Sequence, residues 1–105
     1  MSKYHAKRTE VDGIVFDSRG EARRWVDLQL LEHAGMITEL RRQVKYKLEV
    51  NGLKVCDYVA DYTYFERGRY VVEDFKSPAT RTPVYRLKRK LMFALLGIEI
   101  FETGA

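Results

Sequence analysis

The run VCDYVADYTYFERGRYVVEDFK, Val55 to Lys76, decides how the chain is read. Two segments rich in valine and aromatic residues, Val55 to Phe65 and Tyr70 to Phe75, flank Arg67-Gly68, a pair suited to a two-residue hairpin turn. With that turn Glu66 faces Arg69, facing pairs have residue numbers of constant sum, and Asp61 falls directly opposite Asp74. Side chains alternate along a strand, which predicts Asp61, Asp74 and Lys76 on one face and Glu73 and Phe75 on the other. A three-residue loop from Glu66 to Gly68 would instead set Glu73 against Asp61. The lysine two residues after Asp74 favours the first register.

Like charges opposite one another on a sheet repel, so one carboxyl must hold a proton or a cation must lie between the two. Carboxylate oxygens suit Mg²⁺, with Mn²⁺ as a substitute, and such an ion keeps open positions for a phosphate and an attacking water. Lys76 would bring compact positive charge to a phosphoryl group or orient the water. Glu21 joins this set because it shares a helix face with Trp25 and Leu28 that should bury against the sheet. Glu21 also suits a capping box with Ser18, and the two roles are compatible. The competing reading of the aspartates is an exposed face where they pair with Lys76 as simple salt bridges.

Outward from this run, Ser18 to Ala34 is predicted as a helix stopped by Gly35, and Val44 to Val50 as a strand joined to the next by Asn51-Gly52. Pro78 ends the third strand, Pro83 opens a second helix, and Gly97 closes it after Leu96. Ile98 to Phe101 forms a short last strand that should return through the helical crossover. The order is α-β-β-β-α-β, a mixed sheet flanked by helices in an α/β protein. The whole chain, 1–105, is read as one domain, with residues 1–12 either a flexible basic arm or a short edge strand.

Composition narrows the function classes. Hydrophobic residues at 46% and charged residues at 32% fit a globular protein, and no apolar run approaches the ~18 residues of a membrane helix. A cytoplasmic setting is expected, since the start of the chain is polar and basic without an export signal and Cys56 has no disulfide partner. Neither a zinc set nor a small-molecule cofactor is suggested, and His5 and His33 fall away from the acidic residues. The net charge of +4 favours polyanions, and its densest group is Arg86, Lys88, Arg89 and Lys90.

The residues Ala60-Asp61 and Glu73-Asp74-Phe75-Lys76, with helical Glu21 before them, resemble the PD-(D/E)xK signature of restriction-endonuclease-like nucleases, with Ala60 in place of the proline. The runs Val11 to Ser18, Glu21 to Arg24, Val71 to Lys76 and Tyr85 to Lys88 resemble a family of small uncharacterised phage and prophage proteins. The resemblance implies a restriction-endonuclease-like core, Asp61 and Asp74 as metal ligands, Lys76 as the catalytic lysine and Glu21 as the acidic residue on the helix. It adds Gln43, at the start of the first strand, as a further polar residue near the metal. Tyr85, Arg86, Lys88 and Arg89 on the second helix are the expected DNA contacts. The implied activity is Mg²⁺-dependent endonucleolytic cleavage of DNA in phage recombination or processing within a bacterial host, on one strand per site, so that double-strand cutting would call for a homodimer. The alternatives are a nucleic-acid-binding module that keeps the fold without activity and, further off, a phage assembly protein.

Overall fold

The computed structural model describes residues 8–104. A hairpin of β1 (Thr9–Val11) and β2 (Ile14–Phe16) comes first, followed by α1 (Arg19–His33). Then come β3 (Thr38–Val50), β4 (Leu53–Glu66), β5 (Arg69–Phe75), a short 3₁₀ turn at Pro78–Thr80, α2 (Pro83–Leu96) and β6 (Phe101–Thr103). The four-stranded sheet has the order β3-β4-β5-β6, antiparallel except for the parallel pair β5 and β6. The chain is thus an α/β protein with a mixed sheet, and α2 supplies the crossover that a parallel pair needs.

Three features depart from the sequence reading. The first hairpin precedes the predicted elements and forms its own two-stranded sheet, so residues 9–11 are neither arm nor edge strand of the main sheet, and residues 1–7 lie outside the described residues. The turn that makes this hairpin is Asp12-Gly13, both with positive φ, as a two-residue hairpin loop requires. β3 begins at Thr38 instead of Val44: a bulge between Thr38 and Arg41, where Glu39 has φ 53°, shifts the register, and Gln43 takes φ 52° with the register kept on either side of it. The last strand is Phe101–Thr103, not Ile98 to Phe101, and Ile100 just before it is buried.

Helix ends follow the expected chemistry. The Ser18 hydroxyl accepts from the Glu21 N–H and the Thr82 hydroxyl from the Tyr85 N–H, Pro83 sits in the first turn of α2, and Gly97 ends it with φ 67°. Two apolar clusters occupy opposite faces of the sheet. Leu28 and Ile37 pack with Tyr62 and Tyr64 on the α1 side, while Tyr85, Met92 and Ile100 pack with Leu48, Tyr58, Ala60 and Val72 on the α2 side. Phe16, Leu28, Leu48, Tyr62 and Met92 are almost wholly buried, and burial of each such side chain stabilises the fold by roughly 1.5–3 kcal/mol.

Candidate functional site

The expected turn at Arg67-Gly68 is present, both residues having positive φ, 54° and 77°. It sets Glu66 against Arg69, and the ladder runs from there to Tyr62 against Glu73. One step further Asp61 meets Asp74, and there the two strands part. The Asp61 N–H donates to Asp74 Oδ1 and the Phe75 N–H donates to Asp61 Oδ2, both at 2.9 Å. Each aspartate side chain supplies the acceptor that the departing strand no longer provides.

The alternation of side chains along β4 breaks at this fork. Tyr62 and Tyr64 face α1, yet Tyr58 and Ala60, of the same parity, face α2. The partner strand switches at the same level. Arg42 lies 4.8 Å from the Phe16 ring and 5.7 Å from the Trp25 ring on the α1 side, while Tyr46 and Leu48 belong to the α2 side. Gln43, with its left-handed backbone, stands between them opposite Asp61. Gln43 is therefore in the middle of β3, not at its start, and its Nε2 is 3.4 Å from Asp61 Oδ1, long for a hydrogen bond.

Because of the switch, the Tyr58 hydroxyl reaches Asp74 Oδ2. The Lys76 ammonium stands 3.9 Å from the same oxygen and 4.1 Å from the centre of the Tyr85 ring. Asp74 is 2% exposed. Burial pushes the Asp61 carboxyl from 3.8 up to about 7, reinforced by the charges of Asp74 and Glu21 and opposed by the Phe75 N–H and Lys76. Burial also raises Asp74, against the Tyr58 hydroxyl, the Asp61 N–H and Lys76. Glu21 is raised by burial and by Asp17, and the charges of Asp74 and Lys76 reach it as well.

Asp61, Asp74 and Lys76 are thus brought together, and Glu21 stands close enough to feel them. Among the described residues no group of three or more His, Cys, Asp or Glu side chains is arranged to hold a metal ion. Mg²⁺ commonly takes only one or two carboxylates and keeps waters elsewhere. The Asp61–Asp74 pair, one half-buried and one buried, and resisting joint ionisation, is a donor set of the right chemistry for it, whereas Glu21 does not complete a set of three.

Other expected residues fall elsewhere. Tyr85 is 6% exposed, its ring beneath Lys76 and its hydroxyl donating to Glu102 Oε2 at 2.6 Å. It supports Lys76 from inside the fold and does not share the surface of α2 with Arg86, which is exposed, or with half-buried Lys88. Arg89 binds Glu102 at 3.0 Å, and Arg81 binds the other oxygen of Glu102 at 2.9 Å. His33 is exposed at the end of α1, and His5 lies outside the described residues.

Sequence reasoning missed the Glu73 carboxylate, which points to the α1 side and is fully buried. It accepts from Arg24 Nε and Nη2 at 2.7 and 2.8 Å, from the Tyr64 hydroxyl at 2.8 Å and from Thr103 Oγ1 at 3.0 Å. Parity along β5 correctly separates Glu73 from Asp74, but nothing in the spacing names Arg24 as its partner. Tyr58 was missed because simple alternation assigns it to the wrong face.

A family model described as "Protein of unknown function (DUF1064)" matches residues 1–97. Neither a curated protein nor a solved structure matches the chain. With nearly its whole length covered by that model, the chain belongs to the DUF1064 family of proteins of unknown function.

Proposed function

We propose that the chain is a metal-dependent endonuclease with a restriction-endonuclease-like core that hydrolyses phosphodiester bonds of DNA. One observation supports this reading above the rest. Two aspartates from neighbouring strands, Asp74 buried and Asp61 half-buried, meet where those strands part, with a lysine beside them. Asp61 and Asp74 would hold Mg²⁺ or Mn²⁺, with Glu21 at the margin, and the bound ion supplies Lewis acidity toward a phosphate oxygen. Lys76, steadied over the Tyr85 ring, presents its ammonium to negative charge building on the phosphoryl group. Tyr58 and the Asp61 amide orient Asp74, and the Phe75 amide orients Asp61. Arg86, Lys88 and Arg89 attract the phosphate backbone by charge, which fixes position without reading sequence. One such site cuts one strand, so double-strand cleavage or resolution of branched DNA takes a homodimer. Phage recombination or DNA processing inside a bacterial host is the proposed setting.

The second reading is a DNA-binding module without activity. It is favoured by the donors that already meet the carboxylate oxygens, since Tyr58 and two backbone amides give both aspartates a structural role. The test is cleavage of plasmid and branched DNA with Mg²⁺ or Mn²⁺. The nuclease reading requires cutting that is abolished by chelator and by Asp74→Ala. DNA binding with no cutting on any of these substrates, with either metal, leaves the module.

A further inference from the structure

On the α2 side, where β6 runs next to β5, lies a cavity of about 710 Å³, lined by Arg81, Arg86, Arg89, Lys90 and Glu102, with Phe93 and Ile100 in its wall. Arg86, Arg89, Lys90 and Phe93 follow the spacing i, i+3, i+4, i+7, so one face of α2 supplies most of it. This face is unusual in combining three cations with a phenylalanine that is 61% exposed. Glu102 is already committed, with its oxygens bound by Arg81, Arg89 and Tyr85. Arg86 and Lys90 have no ion-pair partner within 4.0 Å among the described residues. Glu99, on the other wall, marks the side that an anion avoids.

An occupant that suits both features must carry negative charge and a flat apolar face. A nucleotide does, since guanidinium and ammonium groups take its phosphates while an aromatic ring stacks on its base. In a duplex the bases are paired and stacked on each other, so a base can reach Phe93 only from an unpaired strand. The cavity is linked to the carboxylates through Glu102, which lines it. Asp74 and Glu102 are register partners in the β5–β6 ladder, which sets them one strand spacing apart, roughly 4.8 Å. The Tyr85 side chain joins the two places, with Lys76 on its ring and Glu102 on its hydroxyl.

We propose that this cleft binds an unpaired nucleotide of a DNA strand, the base stacked on Phe93 and the phosphates on Arg86 and Lys90. The proposal rests on the nuclease reading and narrows its substrate class to DNA with a single-stranded or branched portion.

The experiment is fluorescence anisotropy with a short labelled oligothymidine strand and a blunt duplex, using full-length Asp74→Ala protein so that nothing is cut. Tighter binding of the single strand is expected. Adding Phe93→Ala or Phe93→Leu should weaken single-strand binding between about five- and 150-fold, the worth of one base–aromatic stack, and leave duplex binding nearly unchanged. Adding Arg86→Ala should weaken both and lower the salt slope by about one. Phe93 variants that bind the single strand as their parent does, or that lose duplex binding equally, overturn the proposal. Plasmid cleavage by Phe93→Ala with its aspartates intact separates the two claims. A wild-type protein that cuts with no more preference for single-stranded or branched DNA than Phe93→Ala removes the cleft and keeps the nuclease, while Phe93-dependent strand binding without Asp74-dependent cutting does the reverse.

Discussion

Replacing Asp61 by asparagine should make the metal-free protein more stable. The native carboxyl titrates near 7 where an unconstrained aspartate titrates near 3.8, chiefly because it is buried and then because it faces Asp74. Between those pH values the folded chain keeps a proton that the unfolded chain has released, so stability falls as pH rises through this window. Above about pH 7 the full cost is present. The interval corresponds to roughly 4 kcal/mol at 1.36 kcal/mol per pH unit, and since Asp74 shares the repulsion, about 2–4 kcal/mol is assigned to Asp61. Asparagine keeps an acceptor for the Phe75 N–H and cannot ionise. Urea unfolding with chelator present should therefore find Asp61→Asn ahead of wild type by about 2–4 kcal/mol at about pH 8.5, with the gap narrowing toward pH 5. Mg²⁺ should raise the stability of wild type and leave the variant unchanged. A variant less stable than wild type at about pH 8.5 would refute the reasoning. It would mean that ionised Asp61 gains more from Lys76 than it loses to Asp74, as in an ordinary salt bridge.

Arg24→Ala strands the fully buried Glu73 carboxylate with only Tyr64 and Thr103 as donors, and urea unfolding should register a loss of about 3–5 kcal/mol, largely recovered when Glu73→Gln is added. Lys76→Met keeps an unbranched side chain beside Tyr85 and removes the charge that stands over its ring. Cleavage rate should fall by roughly 10²–10³ while anisotropy finds DNA affinity within a few-fold of wild type, and an equal loss of both would make Lys76 an ordinary DNA contact.

Much of this architecture could be read along the chain because local chemistry sets it. The left-handed pair Arg67-Gly68 sets the register that brings Asp61 to Asp74, and Ser18, Thr82, Pro83 and Gly97 mark helix ends by capping and backbone geometry. Other features depend on contacts distant in sequence. Gln43 adopts a positive φ inside a strand, and both strands exchange faces at that level. A period-two pattern has no means of signalling this, so Tyr58 was missed beside Asp74. Tyr85 was expected among the basic surface residues of α2 because its neighbours are charged, yet β6 brings Glu102 to its hydroxyl from 17 residues away. The first hairpin had an available signal in Asp12-Gly13, two residues with the turn chemistry of the later hairpins. The cleft at Phe93 was hidden because a phenylalanine near the end of an amphipathic helix ordinarily belongs to the core.

The central claim is that Asp61 and Asp74 share a divalent cation. Crystals grown at about pH 8, above the pH of about 7 to which the Asp61 carboxyl is pushed, and soaked in Mn²⁺ test it by anomalous scattering. The expected result is a manganese peak bonded to both carboxylates, absent from Asp61→Asn crystals. No peak there, or a peak bonded to neither aspartate, would contradict it.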